Sequence, residues 1–339
     1  MRLKKLARGR ALYVDENRVW IAQGMTFFAV NYDGERVTKK YSAGNILQRT
    51  LSFFFLSRQL LREGYHHMLL LKDGSLLLTA KKKTYIFNQD GTVRNNFSGY
   101  LGNKPASQGI CVTPDGTIFF GEYTVNLQHT NDTHLYRSTD NGHSFQCILT
   151  FPKTIRHIHF IKYDPYEKCI WLGTGDADAE SRLMRSNNNG DTWETIGEGS
   201  QQWRAIGVCF TETALVWGTD AGSVLDQNHI NTMDRKTHEL LAVCDVEGPC
   251  HGSASFRDGR IMISTGVEGG ENEKDRYARL KEIEGERVID HFQLKKSPFP
   301  FIMQYGVMRF PAGTENTDRV LFTAMGLNKG LETVYAEVK

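Results

Sequence analysis

The sequence predicts an all-β fold: a seven-bladed β-propeller of four-stranded antiparallel blades, with six blades as the second choice and residues 1–339 forming one propeller domain. Three observations carry this. Strand-length apolar runs, broken by Asp-Gly and similar turns, recur from the first residues to the last, with no sustained alternation of strand and helix patterns. A unit of apolar strand, tight turn and second apolar strand returns seven times at intervals of about 43 to 54 residues. Two hairpins roughly fifty residues apart, Leu135–Phe145 and Leu183–Trp193, share one turn pattern.

The seven units follow in order. The first is Ala11–Ile21, the second Tyr65–Leu78 and the third Gln108–Phe120. The fourth joins His157–Asp164 to Cys169–Leu172, and the fifth joins Arg204–Phe210 to Ala214–Trp217. His251–Ile263 makes the sixth, and Tyr305–Phe310 with Val320–Thr323 the seventh. After that last pair only Glu332–Val338 reads as a strand, so the final blade is one short, and Arg2–Leu6 is expected to supply it. Pairing the two ends in this way closes the ring and protects an edge that would otherwise be exposed. One segment departs from the repeat. Residues 45–63 carry Leu47, Leu51, Phe54, Phe55 and Leu61 at helical spacing with Arg49, Arg58 and Arg62 among them, which predicts a helical insertion between the first two blades; an elongated strand pair through Ser52–Leu56 is the alternative.

Each of the paired hairpins runs through Ser-x-(Asp/Asn)-x-Gly-x-(Ser/Thr)-aromatic, with Ser138, Asp140, Gly142 and Phe145 in the first and Ser186, Asn188, Gly190 and Trp193 in the second. The Asp or Asn side chain can bond backbone amides across the turn, Gly takes a positive φ, and the aromatic seats the turn on the sheet. The pattern resembles the Asp-box, or BNR repeat, of the sialidase superfamily of β-propellers; Asn188 stands where that repeat usually has Asp. The resemblance implies a box on the outer part of a blade, away from the catalytic face, so both copies are expected to be structural.

Composition narrows the function classes. Forty-one Lys and Arg against 39 Asp and Glu leave a net charge of +2, which offers no electrostatic case for nucleic acid or for an acidic membrane as a partner. The basic start, residues 1–10, is followed by charges where a secretion signal needs an apolar stretch, and the longest apolar cluster, Leu51–Leu56, is far too short to cross a bilayer. Six cysteines without CxxC spacing are expected to be thiols in a reducing compartment, so the chain is placed in the cytoplasm.

Candidate chemistry emerges once the units are aligned on their Asp-Gly turns. Seven positions before the turn Asp stand His66, Gln108, His157 and His251, with Ala205 and Tyr305 in the less regular units. One position earlier come Tyr65, Ser107, Arg156, Arg204, Cys250 and Gln304, and the first unit brings Arg8 or Arg10 to the same rim. In a propeller this rim also receives the ends of the following strands, here Glu122 and Tyr123, Asp176 and Asp178, Asp220, and Glu268. His66, His157, Arg204, His251 and Tyr305 are therefore the catalytic candidates. Gln108, Glu122, Tyr123, Arg156, Asp176, Asp178, Asp220 and Gln304 are candidates for contacting a substrate. His157 and His159 lie two apart on one strand face and, with His251 or Gln108, could hold a divalent cation.

Imidazoles accept protons near neutral pH, and guanidinium forks pair with carboxylates. That combination suits a uronic acid or another acidic glycan. Arg or a metal offsets the carboxylate charge and acidifies the neighbouring C5 proton, which His or Tyr removes as the glycosidic oxygen leaves. A polysaccharide or oligosaccharide lyase is thus the first expectation. A sialidase-like glycoside hydrolase is the second; its Phe-Arg-Ile-Pro signature has no closer counterpart than residues 7–10. A propeller that binds a glycan or a protein partner on one face without turnover is the third.

Overall fold

The structure is a computed structural model that describes residues 1–221, 227–328 and 330–338. Its strands form seven four-stranded antiparallel sheets, the blades of a seven-bladed β-propeller. Blade 1 begins at Arg10–Val14, blade 2 at His67–Leu70, blade 3 at Ile110–Val112, blade 4 at His157–Asp164, blade 5 at Cys209–Phe210, blade 6 at Cys250–Ser255 and blade 7 at Val307–Arg309. In blades 1 to 6 the four strands are consecutive in sequence. Blade 7 takes its first three strands from the carboxy-terminal end, and Leu3–Arg8 completes it by pairing antiparallel with Gly330–Glu337.

Burial explains why the second strand of a unit reads as an unbroken apolar run. Cys169–Gly175 and Leu321–Leu327 are buried at every residue, because both faces of these strands are covered. The fourth strand Gln146–Phe151 is mostly exposed or half-buried, and its sequence is correspondingly mixed. Trp171 and Trp217 anchor the apolar core shared by blades 4 and 5.

The chain divides into two compact units. The first comprises residues 1–68, 78–81 and 247–339, and so contains blades 1, 6 and 7; the second comprises residues 69–77 and 82–246, with blades 3, 4 and 5. Within the first, residues 46–61 form two short helices, α1 (Ile46–Phe53) and α2 (Phe55–Leu61). Asn45 and Gln48 form a capping box at the start of α1, Phe54 is extended between the helices, and Arg62 ends α2 in the left-handed region.

The two matching hairpins join the third and fourth strands of blades 3 and 4, and each is locked by its own side chains. Asp140 accepts hydrogen bonds from the Ser144 amide (2.9 Å) and hydroxyl (2.6 Å), while the Gly142 amide donates to Ser138 Oγ (2.9 Å). In the second copy Asn188 accepts from the Thr192 amide (2.9 Å), and the Gly190 amide donates to Ser186 Oγ (2.9 Å). Two consecutive residues take positive φ in each turn, Asn141 with Gly142 and Asn189 with Gly190, so the turn demands more than the single glycine its sequence advertises. Phe145 stacks on Phe97 at 4.5 Å, and Trp193 packs against the core of blades 3 and 4.

Candidate active site

In the second unit, the start of blade 4 gathers six of the candidate residues. The pairing of His157–Asp164 with Cys169–Gly175 slips between Ile158 and Phe160, which leaves His159 as the extra residue of a β-bulge. His157 and His159 are both buried, and their Nε2 atoms lie 3.0 Å apart. Asp176, just past the end of the second strand, brings Oδ1 to 3.1 Å from His159 Nε2 and 3.3 Å from His157 Nε2. Arg204 Nη2 reaches Asp176 Oδ1 at 2.9 Å and Asp220 Oδ2 at 3.1 Å, and Arg156 pairs with the other oxygen of Asp176. Gly175 makes the arrangement possible: a Cβ there would lie 2.5 Å from His159 Cε1.

The proton positions follow from the partners. His157 Nδ1 faces the Thr124 carbonyl oxygen at 2.8 Å and His159 Nδ1 faces that of Ala205 at 3.2 Å. A carbonyl oxygen only accepts, so each Nδ1 carries the hydrogen and each Nε2 presents its lone pair inward. Burial is the main cause that pushes the His159 imidazole down to about 4; the hydrogen bond with Asp176 works the other way and the nearby His157 adds to the fall. Burial alone would raise Asp176, but the hydrogen bonds that His157 and His159 donate when protonated, together with the charge of Arg204, outweigh this and hold the carboxyl well below the usual carboxylate range. Two imidazole lone pairs and a carboxylate oxygen thus converge, a set of acceptors that calls for a proton or a cation among them. Their edges of 3.0, 3.1 and 3.3 Å match the roughly 3.0 to 3.4 Å separation of neighbouring donors around a cation held by bonds of about 2.1 Å.

The remaining candidates of this unit sit around that set. The Tyr123 ring lies 4.1 Å from the His157 ring and remains partly exposed. Gln108 runs along the start of blade 4, its carbonyl accepting the Ile161 amide (2.9 Å) and its side chain lying against Gly207. Asp178 is exposed and accepts from Gln201 Nε2 at 2.8 Å. Glu122 belongs elsewhere: it is buried and accepts from the Leu101 and His134 amides, His134 Nδ1 and the Tyr136 hydroxyl, which commits its oxygens to the interior of blade 3. Sequence reasoning missed Glu180, a buried carboxylate that accepts the Arg156 amide (2.8 Å) and the Asp176 amide (3.3 Å) and so fixes the backbone of two site residues. It also missed Gln201, whose amide donates to the Asp176 carbonyl at 3.0 Å.

In the first unit, His66 accepts from Arg10 Nη1 at its Nδ1 (3.0 Å), and Arg10 in turn pairs with Glu332 at 2.6 Å. His251 repeats the arrangement of His159 in blade 6. It too is a bulge residue, it lies over a glycine, Gly266, and it meets an acid just beyond the second strand, Glu268, at 2.9 Å. The Tyr305 ring is 6.4 Å from that of His251, and Gln304 beside it is buried. The bulge makes His159 and not His157 the counterpart of His251, so counting back from the turn Asp lands two residues early in blade 4.

The seven four-stranded blades define a class, the seven-bladed β-propellers, and comparison with known proteins finds solved structures of that fold. Oligogalacturonate lyase from Vibrio parahaemolyticus matches with a TM-score of 0.64 and 13% identity, over 99% of this chain and 93% of that one. Virginiamycin B lyase from Staphylococcus aureus matches with a TM-score of 0.62 and 13% identity, over 99% and 98%. An oligogalacturonate lyase in complex with manganese gives a TM-score of 0.64 at 11% identity, over 98% and 92%. At these identities the likeness is one of fold. No family model matches the chain, and no curated protein matches its sequence. Among the described residues no helix is long and apolar enough to cross a membrane.

Proposed function

We propose that the chain is a lyase for an acidic oligosaccharide, acting by β-elimination beside a uronic-acid carboxylate at the mouth of blade 4. The observation that carries this is the convergence of His157 Nε2, His159 Nε2 and Asp176 Oδ1 next to two guanidinium groups. The three converging atoms would hold a divalent cation, and the carbonyls of Thr124 and Ala205 that fix both rings are the kind of outer support metal-binding histidines use. Such a cation, when bound, offsets the charge of the substrate carboxylate and acidifies the C5 proton. Arg156 and Arg204 line the same mouth and orient the carboxylate. Tyr123, once its phenolic proton has passed to solvent, is the group we assign to take the C5 proton: the C5–H electron pair becomes the C4–C5 double bond, the C4–O bond breaks, and the leaving oxygen takes a proton from solvent water. The lyase neighbours support the reaction class, and the side-chain locks at Asp140 and Asn188 support kinship with the Asp-box propellers of the sialidase superfamily.

The test is ultraviolet absorbance of the unsaturated product during incubation with uronic-acid oligosaccharides, with manganese or magnesium and again after chelation. Absorbance should rise only with the cation. Tyr123→Phe and His159→Ala should abolish the rise, and His251→Ala should leave it. New reducing ends without the absorbance would make the protein a hydrolase and sink the lyase reading. Loss of activity in His251→Ala with none in His159→Ala would move the site to blade 6.

A further inference from the structure

The helical insertion is built inside out. Its buried residues are polar: Ser52 of α1 and Gln59 of α2. Ser52 Oγ accepts the Met25 amide of blade 1 at 3.0 Å, Gln59 Nε2 donates to Glu332 at 3.0 Å, and Arg58 Nη2 reaches the same carboxylate at 2.5 Å. The apolar residues face away. Ile46, Leu47, Phe53, Phe54, Leu56 and Leu60 are all exposed, Ile46 at 83% and Phe53 at 73%. Positions 46 and 53 of α1 lie two turns apart and positions 56 and 60 of α2 one turn apart, so each helix carries exposed apolar residues on one face, with the exposed Phe54 between them. Phe299 packs edge-on against Phe55 at 5.6 Å and brings in a loop whose Ile302 is 85% exposed.

A helix in a soluble protein ordinarily turns its apolar stripe to the core, and contiguous exposed apolar surface marks a docking site. Local charge identifies what docks. From residue 36 to residue 62 the chain holds six Lys and Arg and no Asp or Glu, and Arg36, Lys39, Lys40, Arg49 and Arg62 are exposed. A symmetric contact with a second copy would set this basic segment against itself. An anionic lipid surface satisfies both features, taking Leu and Phe side chains among its acyl chains and Arg and Lys at its headgroups. The net charge of +2 for the whole chain hides this, because the acidic residues lie elsewhere. We propose that α1 and α2 form a membrane-docking element that seats the propeller on an anionic lipid surface.

The experiment is flotation of the full chain with vesicles of phosphatidylcholine, with and without phosphatidylglycerol. The protein should float with the anionic vesicles and be released by salt. Phe53→Ser with Phe54→Ser should weaken partitioning about tenfold or more. Arg49→Glu with Arg62→Glu should abolish the preference for anionic lipid. All four side chains are exposed, so the melting temperature should hold and the comparison stay clean. As a separate reporter, Phe54→Trp emission should shift to the blue when anionic vesicles are added. Failure to float with either vesicle would overturn the proposal. Equal binding to both would overturn its electrostatic half. A concentration-dependent dimer in sedimentation equilibrium, dispersed by the paired serine substitutions in a protein that ignores vesicles, would assign the surface to a second copy.

Discussion

Asp176 and Glu332 each sit between two guanidinium groups, Arg156 and Arg204 in the first case, Arg10 and Arg58 in the second. Both carboxyls are held in the ionised form, and burial works against ionisation in each. What separates them is the rest of the company. Around Glu332 every further contact is a donor: Gln59 offers its amide, and Arg10 extends to His66, whose Nδ1 accepts. That network closes on itself and fastens α2 to the third strand of blade 7, Gly330–Glu337. Around Asp176 the further contacts are imidazole lone pairs, so acceptors outnumber the hydrogens available and the network stays open. A cluster of charged residues is thus a latch or a site according to the direction of its hydrogen bonds, which neither residue type nor burial reveals.

The comparison can be broken most forcefully at Glu332. Glu332→Ala removes the buried carboxylate that two partly buried guanidinium groups share and should cost about 2 to 4 kcal/mol, measured by urea unfolding, with cation binding retained by the folded fraction. Asp176→Asn should reverse the pattern. Cation affinity by titration calorimetry should fall at least about 100-fold, and the unfolding midpoint should move far less, because Arg204 keeps Asp220. A large stability loss without loss of binding in Asp176→Asn would make it a second latch.

Acid should separate the two clusters further. The His159 imidazole is pushed down to about 4 in the folded protein, so between its ordinary value of 6.5 and about 4 the unfolded chain binds the extra proton. Stability should therefore fall as pH drops through that window, and His159→Gln should flatten the slope. Glu332 is lowered from 4.5, so its contribution is fully present above that value and is lost only at lower pH, as the pH falls through its folded-state pKa. The smallest effect belongs to the hairpin lock. Asp140→Ala should cost roughly 1 kcal/mol and leave cation binding and turnover unchanged. Burial would raise Asp140, but bonds from Ser144 and Ser138 bring it down to about 2, so this lock should weaken as pH falls from 3.8 toward 2.

The repeat was legible because its physics is local. Apolar strands, Asp-Gly turns and the Ser-x-Asp-x-Gly hairpins recur in the sequence, and together they predict seven blades and a closing strand at Arg2–Leu6, which the structure places at Leu3–Arg8. Aligning the turns also placed His157, Arg156, Arg204, Asp176 and Asp220 on one rim. Other features had no local signal. The bulge at His159 shifts the register by a residue, and Glu180 sits in a short 3-10 turn outside the repeat. The two carbonyls that set the imidazole tautomers are backbone groups, which any sequence would supply. The Arg58 to Glu332 pair spans 274 positions, and without it the helical spacing of residues 45–63 could not say which face turns outward.

The composite seventh blade also imposes a timetable on the ribosome. Leu3–Arg8 is made before every other strand of its blade, and its partner Gly330–Glu337 only after more than three hundred further residues. At usual elongation rates the early strand waits on the order of tens of seconds with an unsatisfied edge. Lys4, Lys5 and Arg8 give that waiting strand a density of positive charge that discourages pairing with a neighbouring nascent chain. Blade 7 can close only after Gly330–Glu337 has emerged, so it is the last of the seven to gain its full set of strands.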